Sequence, residues 1–129
     1  MKVHIHPSRG WIEGGADIKK IEAIIQPSKL EEMKEVFNSE EIHGVTITQV
    51  MGCGNQKGWK EFYRGSEVFL NVLPKIQLSM VVPDERVDHI IKMIIGTVHT
   101  DDVGDGKIFI SNVERVIRIR NGEEGENAL

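Results

Sequence analysis

The chain has 129 residues, of which 40% are hydrophobic, and a net charge of −4. This length suits a single domain with one core, and the negative charge disfavours a nucleic-acid backbone as partner. The lone cysteine, Cys53, excludes an intrachain disulfide and favours a reducing compartment. No apolar run in the sequence is long enough for a membrane span. We therefore expect a cytoplasmic protein without direct membrane insertion.

Residues 1–18 contain Pro7 and three glycines and have no sustained periodicity. This composition predicts a flexible N-terminal extension, either native or introduced by cloning. His4 and His6 alternate as on a strand and would share a face, but two ligands are too few for a structural zinc site. A solvated tail is the favoured interpretation.

Regular elements begin near Ile21. Alternating or β-branched apolar residues predict strands over 21–25, 45–50 and 76–82, and apolar residues at helical spacing predict helices over 30–37 and 87–95. Ser28 and Glu31 form a capping-box pattern before the first helix. Pro83 stands where the second helix would begin, and Gly96 lies near its end. Residues 107–111 and 116–120 predict two final extended segments.

The predicted order is β-α-β, a long loop, then β-α-β. Two such units in one small chain predict an α+β fold of the ferredoxin-like type, a βαββαβ split sheet with both helices on one face. The long loop then joins strands 2 and 3. We expect this domain over residues 19–120, followed by a mobile acidic tail over residues 121–129.

The loop over residues 53–73 is long for a compact domain, which rarely keeps such a loop unless it serves binding or regulation. It carries apolar side chains, among them Trp59, Phe62 and Phe69, whose exposure would mark an interaction site. We favour a partner-binding loop. The alternative is a long hairpin packed on its own domain.

A glycine-rich segment, Gly104-Asp105-Gly106-Lys107, precedes one of the predicted strands. Closely spaced glycines let backbone N–H groups turn toward an anion, and the lysine adds a positive charge, although a simple β-turn explains the same residues. Arg118 and Arg120 alternate with isoleucines, so one strand face would carry two guanidinium groups. Arginine binds phosphate bidentately, which favours a polyphosphate ligand; a strand edge kept soluble by charge is the alternative.

Several motifs occur together in one order. The loop contains Gln56-Lys57-Gly58 and Tyr63-Arg64-Gly65-Ser66-Glu67, followed by Leu73-Pro74-Lys75; later come the stretch 100–109 (TDDVGDGKIF) and the stretch 118–123 (RIRNGE). These motifs resemble the PII signal-transduction family over nearly all of residues 19–129. The resemblance implies a homotrimer of ferredoxin-like subunits that regulates nitrogen metabolism, is not an enzyme, and binds ATP or ADP in clefts between subunits.

By position, the resemblance also implies three sets of site residues. The nucleotide would contact Thr46, Gly52, Cys53, Val81, Gly104, Asp105, Gly106, Lys107, Arg118 and Arg120. The effector 2-oxoglutarate would contact Gly54, Gln56, Lys57, Gly58 and Lys75, with Gln56 also coordinating Mg²⁺, a cation that prefers oxygen ligands. The loop tip at Tyr63, Arg64, Gly65 and Ser66 would meet an ammonium transporter or a nitrogen-metabolism enzyme, in a loop conformation that the effectors select.

Several positions depart from the common family pattern, among them Cys53, which replaces a usual phenylalanine. Val68 stands where many members have a modified tyrosine, and a valine has no hydroxyl to receive a nucleotidyl group. Asn55 replaces an arginine near the phosphates, Ser28 an aromatic residue over 2-oxoglutarate, and Asp101 a glycine before the phosphate loop. These departures motivate an alternative, a divergent adenine-nucleotide sensor that answers to another metabolite or controls another partner.

A third hypothesis is an enzyme that acts on phosphate. His43, His89 and His99 are available bases, yet none is tied by sequence to the glycine-lysine segment. We expect His89 on the solvent side of the second helix.

Overall fold

The structure, a computed structural model, describes residues 3–6, 10–13, 17–53, 61–63, 66–68 and 72–129. Its helices are α1 (Leu30–Ser39) and α2 (Val87–Val98). Its strands are β1 (Val3–His6), β2 (Gly10–Glu13), β3 (Ile18–Ile25), β4 (Thr46–Cys53), β5 (Glu61–Tyr63), β6 (Ser66–Val68), β7 (Val72–Pro83) and β8 (Gly106–Val113). In the described part of the chain, no helix has the length and apolarity needed to cross a membrane.

Four strands form one sheet in the order β4-β7-β3-β8, and every neighbouring pair is antiparallel. The helical connection from β3 to β4 skips β7, and that from β7 to β8 skips β3. This is the split arrangement of the ferredoxin-like fold, so the predicted fold class is confirmed. Ala23 marks the register, because it lies opposite Leu78 on one side and Ile108 on the other.

The core lies between this sheet and the two helices. Alternate strand positions and helically spaced positions supply its apolar side chains, because those two periods each place residues on a single face. The most deeply buried members are Ile21, Ala23, Ile25, Leu78 and Met80 from the strands and Met33, Ile90 and Ile94 from the helices. The apolar stripes that predicted the helices are thus the surfaces that the fold buries.

The predicted capping box is wrong. Ser28 lies within a 3-10 turn, Pro27–Lys29, and Lys29 immediately precedes α1 without any side-chain cap. Proline fixes a helical φ at the start of this turn, so the backbone is already helical at Ser28 and its hydroxyl does not cap α1. A 3-10 turn, Asp84–Arg86, also precedes α2, but Pro83 is extended, with a ψ of 147°, and is the last residue of β7.

The predicted extended segment at 107–111 is confirmed within β8, but the one at 116–120 is wrong. Beyond β8, Ile117 forms a single bridge with Glu124, and Ile119 is fully exposed, so no apolar strand face is buried there. Gly122 and Gly125 have φ values of +73° and +78°, which let the chain turn back on itself where a strand would have continued. The tail then forms a 3-10 turn, Gly125–Ala128, and its expected mobility stays a prediction.

Two short strand pairs lie outside the main sheet. Neither was among the predicted strands, although a hairpin was the alternative for the long loop. In the N-terminal extension β1 pairs with β2, and His4 lies opposite Ile12. In the long loop β5 pairs with β6, so that Tyr63 lies opposite Ser66. Arg64 and Gly65, the remaining residues of the predicted loop tip, lie outside the described residues.

Candidate anion-binding site

Gly106 fixes the close approach between the segment that precedes β8 and strand β3. Its φ is +113°, and a Cβ atom there would lie 1.7 Å from the carbonyl oxygen of Ile24. Only glycine avoids both the strain and the clash. The sequence therefore selects glycine here because of packing against β3, and this packing places Lys107 at the beginning of β8.

The segment 100–106, called the phosphate loop below, is held by its own carboxylates. Asp105 accepts hydrogen bonds from the N–H of Thr100 at 2.7 Å and from the Thr100 hydroxyl. Asp102 accepts from the N–H of Gly104 at 3.0 Å through its carboxylate and from the N–H of Asp105 at 3.1 Å through its carbonyl. Two N–H groups that the sequence assigned to an anion thus already have partners, and an anion at Gly104 must displace the Asp102 carboxylate.

These contacts perturb one ionisation. The side-chain and backbone hydrogen bonds from Thr100 hold the pKa of Asp105 below its ordinary value of 3.8, and the nearby His99 acts in the same direction. Asp105 is therefore a carboxylate at neutral pH. Its negative charge orders the loop through Thr100 and adds no attraction for a phosphate.

His99 belongs to this cluster, although no sequence motif had tied it to the loop. Its Nε2 lies 2.8 Å from the Asp101 carboxylate, and its Nδ1 lies 3.6 Å from the Asp105 carboxylate. Asp101 adopts a left-handed φ of +65°, which explains why a glycine would suit this position. The turn at Asp101 is what brings His99 back to the loop. His89 is exposed, as predicted, and pairs with Glu40 at 3.1 Å.

Lys75 connects the base of the long loop to the phosphate loop. Its Nζ donates to the carbonyl oxygen of Gly104 at 3.1 Å. A Cβ on Gly52 would lie 3.0 Å from the Cγ of Lys75, so glycine at this position leaves room for the lysine stem. The structure thus brings together three predicted site residues, Gly52, Lys75 and Gly104, from two different predicted sites.

A cavity of about 660 Å³ opens beside Lys75. It is lined by residues 26–27, 73–75 and 100–103, so the base of the long loop and the phosphate loop form its walls. Asp101 and Asp102 contribute carboxylates next to the single lysine ammonium. The pocket therefore has the size for a small organic anion, but its lining charge is not purely positive.

The predicted nucleotide-binding residues divide into two groups. Gly104, Gly106 and Lys107 lie at the beginning of β8, whereas Arg118 and Arg120 follow its end at Val113. A strand from Gly106 to Val113 spans about 23 Å. Within the described residues, Arg118 has no hydrogen bond or ion pair to the phosphate loop. Within those residues, no hydrogen bond or ion pair joins the two groups in one subunit.

The remaining predicted residues divide along the same axis of the sheet. Val81 lies opposite Lys20, which itself lies opposite Ser111 near the end of β8. Thr46 lies opposite Ser79, also toward that end, whereas Gly52 lies opposite Leu73 near the other. Cys53 is the last residue of β4. Gly54, Gln56, Lys57 and Gly58 lie outside the described residues.

Arg118 is held by the C-terminal segment. Its guanidinium lies 3.3 Å from the Glu123 carboxylate and donates to the carbonyl oxygens of Asn127 at 2.6 Å and Leu129 at 3.5 Å. Arg115 pairs with Glu124 at 2.8 Å; this hydrogen bond raises the pKa of Arg115 and lowers that of Glu124. Arg120 is exposed and, within the described residues, makes no hydrogen bond or ion pair.

The charges of the candidate ligands suit a polyphosphate, whereas the described residues do not provide a metal site. Lys107, Arg118 and Arg120 are the cations that phosphate oxygens favour, provided that two subunits supply them. Within the described residues, no group of three or more His, Cys, Asp or Glu side chains is arranged to hold a metal ion. The predicted Mg²⁺ ligand, Gln56, lies outside those residues.

Comparison with known proteins identifies the family. The family model described as nitrogen regulatory protein P-II matches residues 18–123. Nitrogen regulatory protein P-II of Haemophilus influenzae is 54% identical over 112 residues, and that of Rhodobacter capsulatus is 50% identical over 112 residues; each match covers 87% of this chain and 100% of the relative.

Solved structures agree with the sequence relatives. B. subtilis GlnK superposes with a TM-score of 0.74 at 33% identity, covering 88% of this chain and 100% of GlnK. Arabidopsis thaliana PII bound to citrate superposes with a TM-score of 0.71 at 30% identity, covering 92% of this chain and 97% of the plant protein. The split sheet, the phosphate loop and these relatives lead to one conclusion: the chain belongs to the nitrogen regulatory protein P-II family.

Proposed function

We propose that this protein is a cytoplasmic homotrimeric regulator, not an enzyme, that binds ATP or ADP between its subunits. Mg²⁺ and 2-oxoglutarate bind with the nucleotide, and the long loop carries the signal to a nitrogen-metabolism enzyme or an ammonium transporter. When Mg²⁺ is bound, Gln56 would hold it through its amide oxygen, and the cation would supply positive charge to the phosphates and the effector. The side chains of Lys107 and Arg118 would bind the phosphates, and Lys75 would link the long loop to the phosphate loop.

One observation carries this proposal, the division of the candidate phosphate ligands between the two ends of β8. Lys107 lies near the start of β8 and Arg118 follows its end, which favours a ligand held by Lys107 of one subunit and Arg118 of another. A head-to-tail ring of identical subunits places one end of β8 beside the opposite end in the neighbour. Such a ring would complete a site in each cleft.

The contact of Lys75 supports the link between ligand and loop. Its ammonium holds the Gly104 carbonyl at 3.1 Å, while its own strand continues from the base of the long loop. A carboxylate that attracted this ammonium would compete with Gly104 for it, and would thus act on both segments. The citrate complex of the plant relative supports a carboxylate ligand for this family.

Calorimetric titration with ATP, with and without 2-oxoglutarate and Mg²⁺, tests this function. We expect 2-oxoglutarate to tighten ATP binding, and Lys75→Ala to weaken the 2-oxoglutarate effect by about tenfold while ATP alone still binds, because a charge-assisted hydrogen bond is lost. Lys92→Ala, at an exposed position of α2, is the matched control. An unchanged 2-oxoglutarate effect in Lys75→Ala would refute the placement.

A second candidate function keeps the nucleotide and changes the effector. Asp101 and Asp102 line the cavity beside Lys75, and their charges repel a dicarboxylate. A sensor that binds a less negatively charged metabolite, or that controls another partner, would be compatible with these two carboxylates in the pocket. If ATP binds but 2-oxoglutarate leaves its affinity unchanged, this second candidate replaces the first.

A further inference from the structure

The C-terminal segment 121–129 surrounds a side chain that the proposed function assigns to phosphate. Three of its residues contact the Arg118 guanidinium, one through a carboxylate and two through carbonyl oxygens. Together they contact both terminal nitrogens of Arg118, whose side chain is 30% exposed. Three of the N–H groups that a phosphate could use on this guanidinium therefore already face oxygen atoms of the same chain.

The backbone holds the segment in this position. The N–H of Arg118 donates to the Glu123 carbonyl at 2.8 Å, and the N–H of Gly122 donates to the Arg118 carbonyl at 2.8 Å. Glu123 also donates its N–H to the side-chain oxygen of Asn121 at 3.1 Å. The carboxylate of Glu123 is thus placed beside Arg118 by a closed turn, and the placement does not depend on the ion pair alone.

The neighbouring arginines have different environments. Arg115 is paired with Glu124, one residue further along, and Arg120 is without a partner in the described part of the chain. The segment therefore pairs two of these arginines with its own carboxylates and leaves one available. An incoming anion reaches Arg120 directly, but at Nη1 of Arg118 it must compete with the Glu123 carboxylate.

We infer that the C-terminal segment is an internal competitor for the anion site at Arg118, and that Glu123 sets how tightly a polyphosphate binds there. This inference rests on the proposed phosphate-binding role of Arg118. Glu123 is a specificity-determining residue in this account, because it lowers the affinity only of ligands long enough to reach Arg118. A nucleoside monophosphate, with fewer charged groups, gains less from its removal than a triphosphate.

The expected change in polyphosphate affinity follows from the partial exposure of the Arg118–Glu123 ion pair. Solvent-exposed ion pairs contribute little, so removing the competing charge should tighten binding by about two- to fivefold and not by orders of magnitude. The gain should shrink as ionic strength rises, since salt screens both the internal pair and the ligand contact.

The test compares Glu123→Gln with wild type in calorimetric titrations with ATP, AMP and inorganic tripolyphosphate. Glu124→Gln is the matched control. It removes the same charge one residue further along, from the carboxylate that pairs with Arg115. We expect Glu123→Gln to bind ATP and tripolyphosphate about two- to fivefold more tightly, to change AMP binding less, and to lose its advantage when combined with Arg118→Gln. Glu124→Gln should resemble wild type.

Unchanged or weaker polyphosphate binding by Glu123→Gln would overturn the inference, since Glu123 would then orient Arg118 for the ligand or leave it unaffected. An equal gain in Glu124→Gln would also overturn it, because the effect would be one of general charge. If wild type binds tripolyphosphate but not ATP, the proposed nucleotide function fails and the tripolyphosphate arm alone decides the inference. If neither polyphosphate binds wild type or Glu123→Gln, both fail.

Discussion

Gly106 carries the strictest steric requirement among the glycines of the phosphate loop and its surroundings. Its missing side chain allows the loop to lie against the Ile24 carbonyl, and its φ of +113° is closed to other residues. Lys107 takes its place at the start of β8 as a consequence. The glycine therefore acts on the candidate site through geometry, and its role is separate from any hydrogen bond to a ligand.

We expect Gly106→Ala to lower the free energy of unfolding by about 2 kcal/mol or more, because the new Cβ strains the backbone and meets Ile24. Gly96→Ala is the control. A Cβ there meets nothing within 4 Å and lies on a helix, so we expect a gain of about 0.5–1 kcal/mol. Urea denaturation measures both. Equal stability of Gly106→Ala and wild type would contradict this description of the loop.

At the scale of the elements, the phosphate loop is ordered by acidic side chains that bond to its own N–H groups. Asp105 and Asp102 hold Thr100 and Gly104, and His99 closes the cluster through Asp101. The loop is thus defined before any ligand arrives. This order reduces the entropy that a ligand must remove, and the same carboxylates raise the electrostatic cost of an anion.

Thr100→Val should raise the pKa of Asp105 toward its ordinary value of 3.8, because the hydroxyl hydrogen bond that lowers it is removed. A lowered folded-state pKa stabilises the fold above pH 4 or so, and this contribution is lost as the pH falls through the folded-state value. The free energies of unfolding of wild type and variant should therefore differ at neutral pH, and this difference should disappear in acid.

NMR titration of the Asp105 carboxyl group and urea denaturation across the same pH range check this expectation. Thr100→Ser keeps the hydroxyl and should resemble wild type. An Asp105 pKa that is the same in Thr100→Val and wild type would contradict the assigned cause.

The elements that the sequence predicted well are those with a strong hydrophobic period. Ile21, Ala23 and Ile25 alternate and are buried in β3, and the stripe of α2 packs Ile90 and Ile94 into the core. The segment after β8 had an equally regular alternation of Arg and Ile, yet Ile119 is fully exposed. Local alternation cannot reveal whether a neighbouring strand exists to bury it, and Gly122 and Gly125 reverse the chain instead.

The candidate site was predictable in its chemistry and less so in its arrangement. Glycines beside Lys107 indicated an anion, but the internal bonds of Asp102 and Asp105 depend on side-chain placement within a turn. The contact from Lys75 to Gly104 joins residues 29 positions apart and follows from the strand order. The pairing of Glu123 with Arg118 depends on a turn, and the prediction of an extended segment there did not include it.

For the whole molecule, the most consequential feature is that the two cationic groups belong to opposite ends of β8. Lys107 lies near the start of β8, a strand about 23 Å long, and Arg118 follows its end, so under the proposed function each subunit would offer two half-sites. Each half-site also contains internal carboxylates, Asp102 at one end and Glu123 at the other. A ligand that joins two subunits must outcompete both, which favours a highly charged ligand over a weakly charged one.

Complementation between subunits tests this central claim most directly. Lys107→Ala and Arg118→Ala should each abolish or strongly weaken ATP binding as pure assemblies, because every cleft then lacks one cation. Mixed trimers refolded from both variants should regain about one intact cleft each, since the proposal places Lys107 of one subunit beside Arg118 of the next. Calorimetry that finds this recovered binding at wild-type affinity supports sites shared between subunits. No recovery in the mixture, or undiminished binding by either pure variant, would contradict it.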